Sequence, residues 1–228
     1  MKKIIILAVT AIIISVCGFI AYRSITKAHS VANISNELVS EKEYKLYLYE
    51  EKKRFEETGS VEIWKVDFDD MSAEEIAKQN AFETLCLVKI SNIEAKKRNI
   101  LLTPEDNDKV MLYKNSLSKN VPDEVIRKIS LSENEINKIS EENALYLKLF
   151  ESITKNVVVS EGGFTEYFEA NYSGGGISQE WLRQQAYSEY VDGQKKIFFD
   201  REYNRWRENI DIEINTNLYM DISINDFD

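Results

Sequence analysis

The sequence is poor in the residues that carry most enzymatic and cross-linking chemistry. Its 228 residues include one His, two Cys and two Pro. A lone His29 excludes His-cluster metal sites and any mechanism that needs a pair of imidazoles. Cys17 and Cys86 lie too far apart in sequence for a disulfide framework or a zinc ribbon. Basic residues are also in the minority, 29 Lys+Arg against 39 Asp+Glu, for a net charge of −10. That balance argues against a nucleic-acid partner, because phosphate binding needs a basic surface.

What is present is unevenly placed. Residues 1–29 carry Lys2, Lys3, Arg23 and Lys27 and no acid, which leaves a body of net charge −14. Residues 4–22 are uncharged and rich in Ile, Val and Ala. As a helix they would span about 28 Å, roughly the thickness of a bilayer's hydrocarbon core. The basic flank at Lys2 and Lys3 predicts a cytoplasmic N-terminus and a single-pass anchor, with residues 30–228 on the extracytoplasmic side. Retention is expected over cleavage near Ala28 or Ala32. Lipid attachment at Cys17 is disfavoured by Val16 just before it, and Cys17 reads better as a small apolar residue within the span.

The body reads as mainly α. Ser40 with Glu43, Ser72 with Glu75, and Ser132 with Glu135 each have the spacing of a capping box. Thr103-Pro104 adds a fourth start, with Pro where no N–H is needed. These signals predict helices near 40–58, 72–98, 103–118 and 132–155, a short one near 122–129, and a long last one near 179–209. Apolar stripes support them: Ile76, Ala81, Leu85, Val88 and Ile93 in the second, and Ile136, Ile139, Tyr146, Leu147, Phe150 and Ile153 in the fourth. Residues 156–178 hold five of the eight Gly and read as a flexible connection around a short aromatic helix, Phe164 to Phe168. Period-two alternation predicts strands at 210–214 and again at 219–224. Val31–Ile34 and Leu38–Val39 read as a hairpin about Ser35-Asn36-Glu37. The two chain ends are expected to pair and close one domain.

This order of elements resembles the SurA/PrsA-like family of extracytoplasmic chaperones and foldases. The apolar start comes first. Val31 to Tyr44 looks like the family's opening hairpin and first helix start. Ala77-Lys78-Gln79-Asn80-Ala81 through Thr103-Pro104-Glu105-Asp106 looks like the second helix and the turn into the third. Leu145 to Phe150 looks like the fourth helix, and Arg205-Trp206 through Asn215 like the returning helix and closing strand. The resemblance implies a SurA-N-like helical module, closed by a long C-terminal helix and short N- and C-terminal strands, after one transmembrane helix. Members with isomerase activity insert a parvulin domain of about a hundred residues before the final helix. Here only residues 156–180 occupy that place, and the parvulin site also uses His. The resemblance therefore implies a holdase for unfolded exported polypeptides without prolyl isomerase activity. An accessory subunit of a membrane or export complex, with one dedicated partner, is the alternative.

No cofactor, metal or nucleotide is expected. Gly174-Gly175-Gly176 lacks the Gly-Lys-Ser/Thr of a phosphate loop. Asp67-Phe68-Asp69-Asp70 lacks the Gly and terminal Glu of a calcium loop and reads as a solvated turn. No Ser or Cys nucleophile is paired with His29. Aromatic side chains are the remaining signal. Trp64, Phe164, Tyr167, Phe168, Tyr172 and Trp181 are the candidate client-binding residues. Residues 164–172 are expected either to stay exposed or to fold back onto the helical lobe. Trp64 is expected to pack.

Overall fold

A computed structural model describes residues 29–172 and 179–228. The candidate membrane span at 4–22 and Cys17 lie outside the described residues. Among those described, no helix is long and apolar enough to cross a membrane.

The chain opens with the hairpin β1 (Ser30–Ile34) and β2 (Glu37–Ser40). Its turn is two residues long rather than three: Ile34 pairs with Glu37, and Ser35 and Asn36 both take positive φ, 49° and 72°. That conformation matches the twist of the flanking strands. Helix α1 (Glu41–Gly59) follows directly. A 3-10 turn, Val61–Lys65, leads to a small ribbon of β3 (Asp67–Phe68) and β4 (Met71–Ser72). Asp69 and Asp70 form the tip of that ribbon, exposed and at positive φ, in keeping with a solvated turn.

Helix α2 (Ala73–Lys97) is the central element. Its Ser72 cap is reciprocal: Glu75 N–H donates to Ser72 Oγ at 3.2 Å, and Ser72 N–H donates to Glu75 Oε2 at 2.8 Å. The Thr103-Pro104 start gives a single 3-10 turn, Pro104–Asp106, before α3 (Asn107–Asn120). The short α4 (Asp123–Lys128) and the capped α5 (Glu133–Thr154) complete the lobe. Helices α1, α2 and α5 share one core built on Tyr44, Leu46, Leu48, Leu85, Ile90 and Leu149. Leu147, expected on the buried stripe of α5, faces outward, and Leu145 and Leu149 take the buried positions.

Helix α6 (Glu161–Tyr172) contains the short aromatic helix expected at Phe164 to Phe168 and is longer than it, while 173–178, with Gly174-Gly175-Gly176, lie outside the described residues. The twelve residues of α6 pack chiefly on α7 (Gln179–Arg207). Helix α7 is about 43 Å long at 1.5 Å per residue. Its C-terminal half docks on the lobe through Phe199, Tyr203 and Trp206. Phe199 meets Tyr146, Phe150 and Trp206 at centroid distances of 5.7, 5.2 and 5.7 Å. Arg207 holds the end of the helix with a bidentate pair to Glu83, Nη2 to Oε1 at 2.7 Å. The N-terminal half of α7 carries α6, so the two form a helical arm.

The chain then returns. Strand β5 (Ile212–Ile214) pairs antiparallel with β1, Ala32 opposite Ile214 and Ile34 opposite Ile212, in a sheet ordered β2-β1-β5. The expected closure of the two chain ends is therefore present. The second predicted strand is not. Residues Thr216–Asp221 are α8, and Ile224–Phe227 a 3-10 turn. Asn215 caps α8 by accepting from Leu218 N–H at 3.4 Å. The cap starts a helix that turns Leu218, Tyr219 and Ile222 toward the core, and this overrides the short alternating pattern. Tyr219 packs on Tyr44 and Phe82 at 5.5 and 5.9 Å.

Candidate functional site: a trough along helix α7

Around a helix, residues recur on the same side every 3.6 positions. By that rule Arg183, Gln184, Tyr187, Gln194, Ile197, Phe198 and Arg201 fall within about 140° on one face of α7. The same residues line two cavities along this face. One, of about 570 Å³, lies in the arm between Val159, Glu161 and Phe164 on one side and Glu180, Arg183, Gln184 and Tyr187 on the other. The second, of about 350 Å³, is bounded by Ile153, Asn156, Val157, Val158, Gln194, Ile197, Phe198 and Arg201. The run Val157-Val158-Val159 passes from one cavity to the other, so the two are segments of a single open trough. A further depression against Arg98, Ile100 and Phe198 continues it toward the end of α2.

The trough is open and mixes apolar with polar side chains. Val158 is 91% exposed and Ile197 57%, although both are β-branched and neither is needed to solubilise the chain. Around them, the side-chain amides of Asn156, Gln184 and Gln194 make no hydrogen bond among the described residues. Apolar hollows separated by unengaged amides suit an extended polypeptide. Side chains enter the hollows, and the amides bond its backbone whatever its sequence.

The six residues singled out from the sequence divide into three groups. Phe164, Tyr167, Phe168 and Tyr172 are brought together on α6. They neither stay exposed nor fold back onto the lobe, but pack against the first half of α7. Phe164, 5% exposed, meets Tyr187 at 5.1 Å and Tyr190 at 6.0 Å. Tyr167 meets Tyr190 at 5.3 Å, and Phe168 stacks on Tyr172 at 5.7 Å. Tyr172 donates its hydroxyl proton to Glu189, which pushes the phenol up to about 12 and holds the Glu189 carboxyl below its usual value. Of the four, Phe164 reaches the trough and forms part of its wall. Trp181, 56% exposed, projects about 160° round the helix from Arg183 and so off the trough face. Trp64 is elsewhere, stacked on Phe55 at 5.6 Å with its indole N–H donating to Glu56 at 2.9 Å. It packs as expected against the main core.

Sequence reasoning missed Val157, Val158 and Val159, together with the trough face of α7. Three consecutive valines in a Gly- and Ser-flanked connection were the available signal, since a solvated linker has no use for them. Helix α7 was harder to read because its arm half and its docked half bury different faces.

Among the described residues no group of three or more His, Cys, Asp or Glu is placed to hold a metal. Cys86 is fully buried, and burial pushes its thiol up to about 12, so it carries little thiolate at neutral pH. His29 is exposed, and its carbonyl accepts from the Glu41 N–H at 3.4 Å. Compared with protein-family models, curated proteins and solved structures, the chain matches none.

Proposed function

We propose that the chain is a membrane-anchored, extracytoplasmic, ATP-independent holdase for unfolded exported polypeptides. It would be a SurA/PrsA-like helical module without the isomerase insert. The observation that carries this reading is the trough: an open channel of apolar side chains and unengaged amides on an acidic scaffold. Two features of the fold favour the family resemblance. The N- and C-terminal segments build one sheet, and the lobe leads to a long returning helix. Only 24 residues separate α5 from α7, and twelve of them form a single helix, which argues against isomerase activity. Binding would come from burial of client side chains at roughly 25 cal/mol per Å² of apolar surface, offset by ordering costs.

The test uses the purified full chain in lipid nanodiscs, with empty nanodiscs as control. It should suppress aggregation of a reduced, unfolded client at near-stoichiometric ratio without ATP, and should not accelerate prolyl isomerisation. A Val158→Glu/Ile197→Glu variant should lose most of the protection while keeping its helical circular dichroism. Absence of protection across several clients would overturn the reading. In-cell cross-linking from position 158 should give a spread of adducts, whereas one dominant adduct would point to an accessory subunit.

A further inference from the structure

The trough is less acidic than the molecule as a whole: Glu161 and Glu180 in its lining are matched by Arg183 and Arg201. On a chain of net charge −10, its two ends hold arginines without an ion pair among the described residues. Arg183 lies over Phe164 and Phe168 at 5.0 and 5.5 Å, and Arg201 over Phe198 at 5.8 Å. Each guanidinium thus lies within cation–π distance of an aromatic ring and has no carboxylate partner among the described residues. The two residues are eighteen positions apart, five full helical turns, so they project from the same line of α7 about 27 Å apart. The space between is apolar at Tyr187, Val158 and Ile197.

Building on the holdase reading, we infer that the trough selects extended segments in which an apolar stretch is bracketed by carboxylates about eight residues apart. At roughly 3.3 Å per residue, eight residues of extended chain cover the distance between the two guanidinium groups. One acidic side chain would pair with Arg183 and the other with Arg201. Glu161 and Glu180 share the cavity with Arg183. They outnumber it, so a carboxylate is held there only by direct pairing with the guanidinium, and a polyanion such as nucleic acid is disfavoured. Overall acidity would otherwise favour basic clients, and direct pairing at the two arginines reverses that choice.

The test is fluorescence anisotropy on the full chain in nanodiscs, with labelled ten-residue peptides that share one Val/Phe/Leu centre. One carries Asp at both flanks, one Lys, and one Ser. The Asp-flanked peptide should bind about five- to tenfold tighter than the Ser-flanked one at low ionic strength, as two exposed charge pairs allow. The Lys-flanked peptide should bind weakest. The difference should shrink in about 0.5 M salt. Arg183→Gln/Arg201→Gln should bring the ratio of Asp-flanked to Ser-flanked affinity to about one, a ratio in which any loss common to all three peptides cancels. Arg183→Lys/Arg201→Lys should keep part of the preference, which separates charge from packing on α6. Equal affinities, or tighter binding of the Lys-flanked peptide, would overturn the inference and leave the holdase reading intact. Binding of none of the three would overturn both.

Discussion

Substitution of Lys89 by Met should destabilise the protein by about 3–5 kcal/mol at neutral pH, and much less in mild acid. Lys89 is 3% exposed and stands between two carboxylates from different helices. Its ammonium lies 2.7 Å from Glu43 of α1 and 2.5 Å from Glu142 of α5. The Asn92 side-chain amide Nδ2–H donates to the Glu142 carbonyl at 2.8 Å and fixes the same junction. Glu43 is itself only 6% exposed. Burial raises its pKa, Lys89 opposes that rise, and Glu142 adds to it. Methionine fills the space of the lysine stem but leaves Glu43 and Glu142 facing each other, with only the more exposed Lys138, 3.6 Å from Glu142, to offset them. The folded variant then holds a carboxyl with a pKa well above its unfolded value. The stability lost with the lysine is therefore largest above that folded pKa and returns as pH falls toward the unfolded value of about 4.3. Urea denaturation followed by circular dichroism at pH 7.5 and 4.5 reads both numbers. A triple variant, Lys89→Met/Glu43→Gln/Glu142→Gln, should recover most of the loss. A deficit below about 1 kcal/mol at pH 7.5, or one that does not change with pH, would refute a buried ionic junction.

Three further outcomes are expected. Burial and the neighbouring Glu51 push Glu50 up to about 7, so its stabilising protonated form is lost as pH rises from about 4.5 to 7; Glu50→Gln should raise urea stability at pH 8 by on the order of 2 kcal/mol and leave it nearly unchanged at pH 4. Asp106 has the opposite sign: hydrogen bonds from Lys148 and the Thr103 N–H lower it to about 2, so Asp106→Asn should cost about 1–2 kcal/mol at pH 7 and little at pH 2, measured by thermal melts. Phe199→Ala removes the ring on which Tyr146, Phe150 and Trp206 converge. It should cost about 3–5 kcal/mol, with hydrogen exchange showing α7 loosened before α2.

The legible part of the fold was written in local chemistry. Ser72-Ala73-Glu74-Glu75 and Ser132-Glu133-Asn134-Glu135 announce their helices because a cap is satisfied within four residues. Ser40 to Glu43 shows the limit of such reading. Ser40 accepts from the Glu43 N–H at 3.2 Å, but the Glu43 side chain leaves the cap for Lys89. A long-range ion pair redirected a residue whose local pattern pointed elsewhere. Residues 219–224 failed for the converse reason, because the Asn215 cap lies just outside the window that looks alternating. The trough was only half legible. The aromatic residues 164–172 were visible as a cluster, but the surface they support is made by Val157–Val159 and by a face of α7 whose orientation depends on where α6 docks.

The pairing of β1 with β5 also governs when folding can finish. Asn33 and Glu213, joined by a side-chain hydrogen bond at 3.4 Å, are 180 positions apart. At about 5–20 residues per second of synthesis, β1 waits on the order of 10–35 s before its second neighbour exists. During that interval β2 covers one edge of β1, and the other edge exposes the backbone groups that later bond Ile212–Ile214. Helices α1, α2 and α5 can meet early because their contacts are closer in sequence, whereas closure of the sheet belongs to the slow, non-local class of events. The last strand thus acts as a completion signal: a chain interrupted before residue 212 keeps an open β1 edge and a half-covered Tyr44, and is the form most exposed to aggregation and proteolysis.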